Sequence, residues 1–276
     1  MKKHRSGLLA LCMVISLFSS CTSPQPKEET TEIIVFAAAS LSETLTELGD
    51  SYMADHPNVE IVFNFESSGT LKTQIQEGAA CDLFLSAGQL QMDQLDITAD
   101  PAINTEQLDF VCSDSRFDLL ENTVVLAVPA DNPANLHSYK DLKTALEKHT
   151  VLLAIGNADV PVGQYSQQIL SWFGIDAQKL AEAGCITYGS NAKELTTQIS
   201  EATVDCGIIY ATDAFSAGLT VADIATTELC GQVIYPAAVL KTAKQPEAAQ
   251  AFLKFLTFPQ ADAVFTALGF TTLAEL

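Results

Sequence analysis

Val35-Phe36-Ala37-Ala38-Ala39-Ser40-Leu41-Ser42-Glu43 decides the fold: an apolar strand runs straight into a serine placed to start a helix. Ser40 with Glu43 three residues on has the spacing of a capping box, in which hydroxyl and carboxylate satisfy free N–H groups at a helix start. The pattern recurs where Ile61-Val62-Phe63-Asn64-Phe65 leads into Ser67-Ser68-Gly69-Thr70 and then the helical pattern Leu71-Lys72-Thr73-Gln74-Ile75. Two hydroxyl-bearing helix starts at the carboxyl ends of neighbouring strands describe a pocket for a small anion. On these residues the chain reads as an anion receptor.

Working outward, strands are expected at 33–36, 60–65 and 83–86, with helices from Leu41, Thr70 and Gln89. A second series has strands at 123–128, 151–155, near 185–187 and at 207–210, with helices at 162–173 and 192–200. The strand at 233–236 then leads to two closing helices, 246–256 and 259–268, each opened by a proline in its first turn. Strands alternating with helices are the signature of a mainly parallel sheet flanked by helices.

Upstream, Lys2, Lys3 and Arg5 precede a short apolar run, 7–18, and Ser19-Ser20-Cys21 supplies small residues for cleavage. Residues 1–20 are expected to be an export signal, too short to span as an ordinary membrane helix. The segment resembles a bacterial lipoprotein signal, which implies cleavage before Cys21 and acylation of that cysteine; plain secretion is the alternative. Residues 21–31 are polar, with two prolines and two glutamates, and read as a flexible tether. The folded part is expected to start near Glu32.

The chain carries 14 Lys+Arg against 34 Asp+Glu, and without the three basic leader residues its net charge is about −23. Such a surface repels nucleic acid and anionic lipid, which leaves a lipid anchor as the expected tie to a membrane. An anionic ligand is compatible with it, because helix N-termini and hydroxyls act over a few ångströms while distant carboxylates are screened beyond about 8 Å. Apart from Cys12 and Cys21, the cysteines are Cys81, Cys112, Cys185, Cys206 and Cys230. Their odd number, irregular spacing and lack of a CxxC pair speak against zinc and thioredoxin-like chemistry. Their apolar neighbours favour buried thiols acting as small hydrophobes, with a Cys185–Cys206 disulfide left open.

Six stretches now stand in order: Val35 to Leu41; Phe65 to Gln74; Ala80-Cys81-Asp82-Leu83-Phe84-Leu85-Ser86-Ala87; Val160-Pro161-Val162-Gly163-Gln164-Tyr165; Gly207-Ile208-Ile209-Tyr210-Ala211-Thr212-Asp213-Ala214; and Tyr235-Pro236. In that order and at that spacing they resemble the extracytoplasmic molybdate-binding proteins of ABC importers, from about Ile33 to Phe270. The resemblance implies an α/β, type II periplasmic-binding-protein fold: two lobes with mainly parallel sheets and a ligand cleft between them. It assigns 32–119 and 232–276 to lobe I and 120–231 to lobe II.

It also implies a ligand shell of two serines from the first lobe, Ser40 and Ser68, with the backbone N–H groups of Val162 and Ala192 and the Tyr210 hydroxyl from the second. Ala192 is reached by counting back from Tyr210, with Asn191 or Lys193 as the alternatives. The ligand would be molybdate or tungstate, held through its oxygens, with no direct metal ligand and no cofactor. The implied partner is an ABC transporter permease, and the implied state is a monomeric lipoprotein outside the cytoplasm. Gly69 departs from a serine found in some members, and 110–118 looks like a small insertion near the hinge.

The residue types fit that chemistry on their own terms. A dehydrated tetrahedral dianion needs several donors, and hydroxyls with helix-start amides supply them without a buried counter-charge, at about 1.5–3 kcal/mol per charge-assisted bond. A donor-only shell leaves the O–H of protonated phosphate unpaired, a cost of about 1–3 kcal/mol. Asp213 is the carboxylate that would break this rule by turning inward. Each residue also has a plainer reading, the serines as helix caps and Tyr210 as a core ring.

No GxSxG elbow occurs, neither Ser40 nor Ser68 has an S-x-x-K pairing, and nothing in the sequence links His137 to Ser40, so catalysis is not expected. A receptor for sulfate or another oxyanion, and a lipid-anchored sensor or partner-binding module, are the alternatives. His56, His137 and His149 are expected at surface or loop positions; Trp172, Phe173 and the phenylalanines of the closing helices are expected in the core.

Overall fold

β1 (Thr31–Ala38) carries the apolar stretch into the interior of a sheet, with Ile33, Val35 and Ala37 buried on one face and Phe36 and Ala38 on the other. A strand covered on both faces needs such a continuous apolar run. This computed structural model describes residues 30–273, so the expected leader, Cys21 and all but the last two residues of the tether lie outside the described residues. A 3₁₀ turn, Ala39–Leu41, and α1 (Ser42–Asp55) follow, with Leu45, Leu48 and Tyr52 turned to the core. The chain returns through β2 (Val59–Glu66), α2 (Ser68–Gln76) and β3 (Leu83–Leu85). β2 and β3 flank β1 in parallel, setting Val35 beside Phe63 and Leu83.

After α3 (Gln89–Asp93), segment 110–118 is tied back to this lobe: Val111 bridges Leu240, and Arg116 pairs with Asp93 at 2.5 Å and Asp96 at 2.9 Å. β4 (Phe117–Asn122) completes the outward path, and the single residue Thr123 separates it from β5 (Val124–Val128) of a second sheet. That second lobe contains α4 (Tyr139–Glu147), β6 (Leu153–Gly156), α5 (Pro161–Trp172), α6 (Ala177–Glu182) and β7 (Ile186–Gly189). It continues through α7 (Ala192–Ser200), β8 (Cys206–Tyr210), α8 (Ala211–Ser216), β9 (Thr220–Ile224) and α9 (Thr227–Cys230). β10 (Val233–Val239) carries the chain back, and α10 (Pro246–Phe255), α11 (Pro259–Ala267) and β11 (Thr271–Thr272) finish the first lobe.

The sheet orders are β11-β4-β10-β3-β1-β2 and β7-β6-β8-β5-β9. β2-β1-β3 and β7-β6-β8 pair in parallel, while β10 and β5, the strands entered on crossing between lobes, pair antiparallel on both sides. Each lobe is therefore a mixed sheet covered by helices, and the mainly parallel sheets expected are not found: among the described residues four pairings are parallel and five antiparallel, because the strands entered on crossing between lobes run against their neighbours. β10 is wholly buried yet contains Pro236, and its register with β4 shifts between Tyr235 and Pro236. A proline inside a sheet needs such a bulge, which also re-aims the neighbouring side chain.

One core expectation fails. Trp172 is 59% exposed, because the buried positions of α5 run Val162, Ser166, Ile169 and Leu170, and the next inward position is Phe173, which stacks on Tyr139. Phe252 and Phe265 are fully buried, whereas Phe258 is partly exposed. All five cysteines of the described residues are free thiols, four of them buried, so the open Cys185–Cys206 disulfide is not formed. Burial pushes the Cys81 thiol up to about 12 and Cys230 to about 11. His56, His137 and His149 are exposed.

Candidate functional site

The carboxyl ends of β1 and β2 in one lobe face those of β6, β7 and β8 in the other, with a cavity between them lined by Ala38, Ala39, Ser40, Glu66, Ser67, Ser68, Ala87, Val160, Pro161, Ala192 and Tyr210. This is where ligands of open α/β sheets gather, because strand ends and helix starts present unpaired N–H groups there. The cavity is small, about 10 Å³, with room for about one water-sized sphere.

Of the five expected ligand residues, Ser40, Ser68, Ala192 and Tyr210 line this cavity together. Val162 does not; its neighbours Val160 and Pro161 do, and Val162 follows as the second residue of α5, where a backbone N–H has no carbonyl one turn earlier. Ala192 is the first residue of α7. Of its alternatives, Asn191 caps that helix, its Oδ1 accepting from Glu194 N at 3.0 Å, and Lys193 turns to carboxylates outside the cavity.

The capping roles differ from those expected. α1 starts at Ser42 with Leu41 at its cap position and no side-chain cap, so Ser40 and Glu43 form no capping box. The 3₁₀ turn that contains Ser40 places it one residue before the cap position, which leaves its hydroxyl 3.0 Å from the Tyr235 hydroxyl at the cavity wall. At α2 the work is divided. Ser67 is the cap, its Oγ accepting from Thr70 N at 3.1 Å, and the helix starts at Ser68 rather than Thr70. Ser68 Oγ accepts from Ala87 N at 2.9 Å, so the hydrogen of its hydroxyl remains for a ligand.

Tyr210, the last residue of β8, donates to the Ala87 carbonyl at 3.3 Å across the cleft and packs edge-on against Tyr235 and Tyr165. Burial pushes its hydroxyl well above the ordinary tyrosine range, so it is a neutral donor at any physiological pH. Asp213 stays out of the cavity. It is 1% exposed and lies with Glu43 and Lys193 along a neighbouring recess. Burial raises its carboxyl to about 6, against the pull of Lys193 at 3.3 Å.

Sequence reasoning missed Glu66, which corrects the donor-only shell: this carboxylate ends β2 on the cavity wall, where its Oε2 accepts from Ser67 N and, across the cleft, from Asn191 Nδ2, both at 3.3 Å. Its place immediately before the Ser67 cap was the available signal. Tyr235 and Asn122 were also missed, although Tyr235-Pro236 stood out as a landmark; only the fold brings Asn122 Nδ2 to 3.1 Å from Tyr235. Further contacts join the lobes. Gly69 N donates to the Asp159 carbonyl at 3.1 Å, and Lys193 reaches Glu43 at 2.9 Å. Hydrogen bonding from Ser216 and Lys193, both on the second lobe, holds Glu43 below the ordinary carboxylate range.

The sequence matches the family described as bacterial extracellular solute-binding protein over residues 33–271. A Bacillus subtilis chain named as an ABC transporter substrate-binding lipoprotein, YvgL, is 29% identical over 276 residues, 98% of this chain and 99% of that one. The molybdate-binding protein ModA of Mycobacterium tuberculosis H37Rv is 29% identical over 272 residues, 96% of each chain. The periplasmic molybdate-binding protein of Azotobacter vinelandii superimposes with a TM-score of 0.72 at 20% identity, covering 88% of this chain and 100% of that one. The sulfate-binding protein SubI of Mycobacterium tuberculosis gives 0.70 at 18% identity, covering 89% and 88%. The expected periplasmic-binding-protein fold is borne out by these superpositions. With its two mixed sheets, its inter-lobe cavity and a match running almost from end to end, the chain belongs to the bacterial extracellular solute-binding protein family.

Proposed function

We propose that this protein captures molybdate, and tungstate with it, and delivers the oxyanion to the permease of an ABC importer. The observation that carries this reading is the convergence of two serine hydroxyls, the Tyr210 hydroxyl and the starts of α2, α5 and α7 on one cavity between the lobes. Backbone N–H groups at helix starts and neutral hydroxyls bind an anion through its oxygens without a permanent counter-charge. Ser40 and Ser68 act from one lobe; the Val162 and Ala192 amides and Tyr210 act from the other. A bound anion bridges the two and draws them together, the population shift a receptor needs to signal that it is loaded. The residue 1–21 pattern and the name of the Bacillus subtilis relative support a lipoprotein acylated at Cys21 and held outside the cytoplasm.

The test is calorimetric titration with molybdate, tungstate, sulfate and phosphate in parallel. One-to-one binding of the first two, with sulfate and phosphate far weaker, is the expected result. Preference for sulfate would move the protein to the specificity of its sulfate-binding structural neighbour, and silence with all four would favour a sensor or partner-binding module. Glu66 favours one second reading, a protonated oxyanion such as hydrogen phosphate, whose O–H that carboxylate accepts. Phosphate binding that disappears in Glu66→Gln would establish it.

A further inference from the structure

We infer that Asn122 is a positioning residue for the oxyanion: acting through Tyr235, it fixes the Ser40 hydroxyl as a donor whose hydrogen points into the cavity. The inference rests on the oxyanion reading above and adds to it the origin of the direction of one ligand bond. A serine hydroxyl left to itself can donate or accept, so it does not by itself discriminate a bare oxyanion from a protonated one.

The direction follows from a backbone group that cannot be reversed. Thr123 N–H can only donate, so the Asn122 atom it meets at 2.8 Å is the carbonyl Oδ1. The other terminus is then the NH₂ group, and its two hydrogens go to Thr212 Oγ1 at 2.9 Å and the Tyr235 hydroxyl at 3.1 Å. Tyr235 is 1% exposed and must place its own hydrogen; the Tyr210 hydroxyl also faces it, but the bond of good geometry is the one with Ser40 Oγ at 3.0 Å. A buried hydroxyl hydrogen without an acceptor is disfavoured, so Tyr235 donates and Ser40 accepts. Ser40, which lines the cavity, keeps its hydrogen for the ligand.

Each bond in the series Asn122 to Tyr235 to Ser40 polarises the next. The relay starts where the chain changes lobe, since Asn122 ends β4 and one residue separates it from β5. It reaches Thr212 of α8 in the second lobe as well as Ser40 in the first.

Asn122→Asp keeps the shape and reverses the direction. Its ionised carboxylate has no hydrogen to give, so Tyr235 donates to it, Ser40 donates to Tyr235, and a lone pair faces the anion. At pH 7, molybdate affinity measured by calorimetry falls more than tenfold, and the affinity for phosphate relative to molybdate rises at least tenfold, a change in preference that loss of packing alone would not produce. The added negative charge also repels the ligand, and the same substitution in a Tyr235→Phe background separates the two effects. With the relay cut, Asn122→Asp costs no more than threefold; an equal loss in both backgrounds means charge repulsion alone and overturns the inference.

Tyr235→Phe by itself frees Ser40 to accept and raises the phosphate-to-molybdate ratio several-fold, which keeps the test open should Asn122→Asp fail to fold. An unchanged ratio in Tyr235→Phe, or unchanged molybdate affinity in a folded Asn122→Asp, removes Asn122 from this role. Wild-type protein that binds none of the anions removes the oxyanion reading itself.

Discussion

Ser40 and Ser68 differ in how their hydroxyls are held, one by Tyr235 and the other by the Ala87 amide, yet each is buried at the cavity and left with a hydrogen to give. Replacing either by alanine removes a charge-assisted donor and is expected to weaken oxyanion binding tenfold or more, about 1.4 kcal/mol, in a titration. Asp213 makes a prediction about stability. Burial raises its carboxyl from 3.8 to about 6, Lys193 resists the rise and Glu43 adds to it. The native state therefore holds this proton more tightly than the unfolded chain, and between about pH 4 and 6 the group lowers folding stability as pH rises. Glu43 and Asp96, whose carboxyls are depressed, act in the opposite sense at lower pH. Urea unfolding of wild type and Asp213→Asn isolates the effect: the stability of wild type relative to the variant drops by something on the order of 2–3 kcal/mol between pH 4 and pH 6. A gap that stays constant across that range would refute it.

At the scale of elements, the start of α2 and the loop entering α5 come together across the cleft, and Gly69 allows it. A Cβ at Gly69 would overlap the Asp159 carbonyl oxygen, which accepts the Gly69 N–H at 3.1 Å. The obstructing atom is backbone, so it cannot swing aside as a flexible side chain would. Gly69→Ala is expected to hold the lobes apart and to weaken oxyanion binding about tenfold while each lobe stays folded, with the melting temperature of the ligand-free protein within about 2 °C of wild type. A large drop in melting temperature with unchanged affinity would assign Gly69 to the fold of the first lobe instead.

Across the whole molecule, contacts outside the proposed ligand shell also join the lobes. Lys193 joins Glu43 at 2.9 Å, and burial lowers its ammonium pKa less than the Asp213 and Glu43 carboxylates raise it, so the charge persists. With Glu43 half exposed, such a bridge contributes about 0.2–1 kcal/mol. Glu43→Gln is expected to cost a few-fold in ligand affinity at low ionic strength and nothing measurable at about 1 M salt, where screening acts within about 3 Å. Small-angle scattering tests the larger motion: molybdate should reduce the radius of gyration of wild type, and Gly69→Ala should compact less. No change in wild type would remove closure from the mechanism.

The alternation of strands and helices was legible in the residues, because apolar runs and helix starts are local signals. Ser40 and Ser68 stood out as hydroxyls at strand-to-helix junctions, whereas Ala192 and Tyr210 were singled out only by the family resemblance; the four line one cavity. Sequence reasoning misjudged what the junction residues do: Ser40 caps nothing and Ser67 caps in place of Ser68, since one 3₁₀ turn or one residue of offset moves a hydroxyl to another face. Trp172 was misplaced for the same reason, a single step around α5. Only the tertiary structure decided that Asn122, Tyr235 and Ser40, separated by 113 and 195 residues from one partner to the next, form one polarised relay. It alone put Glu66 at the wall and kept Asp213 away from it. Hydrogen-bond direction and the sign of charge at a cavity depend on which distant groups meet, and local periodicity carries no record of that meeting.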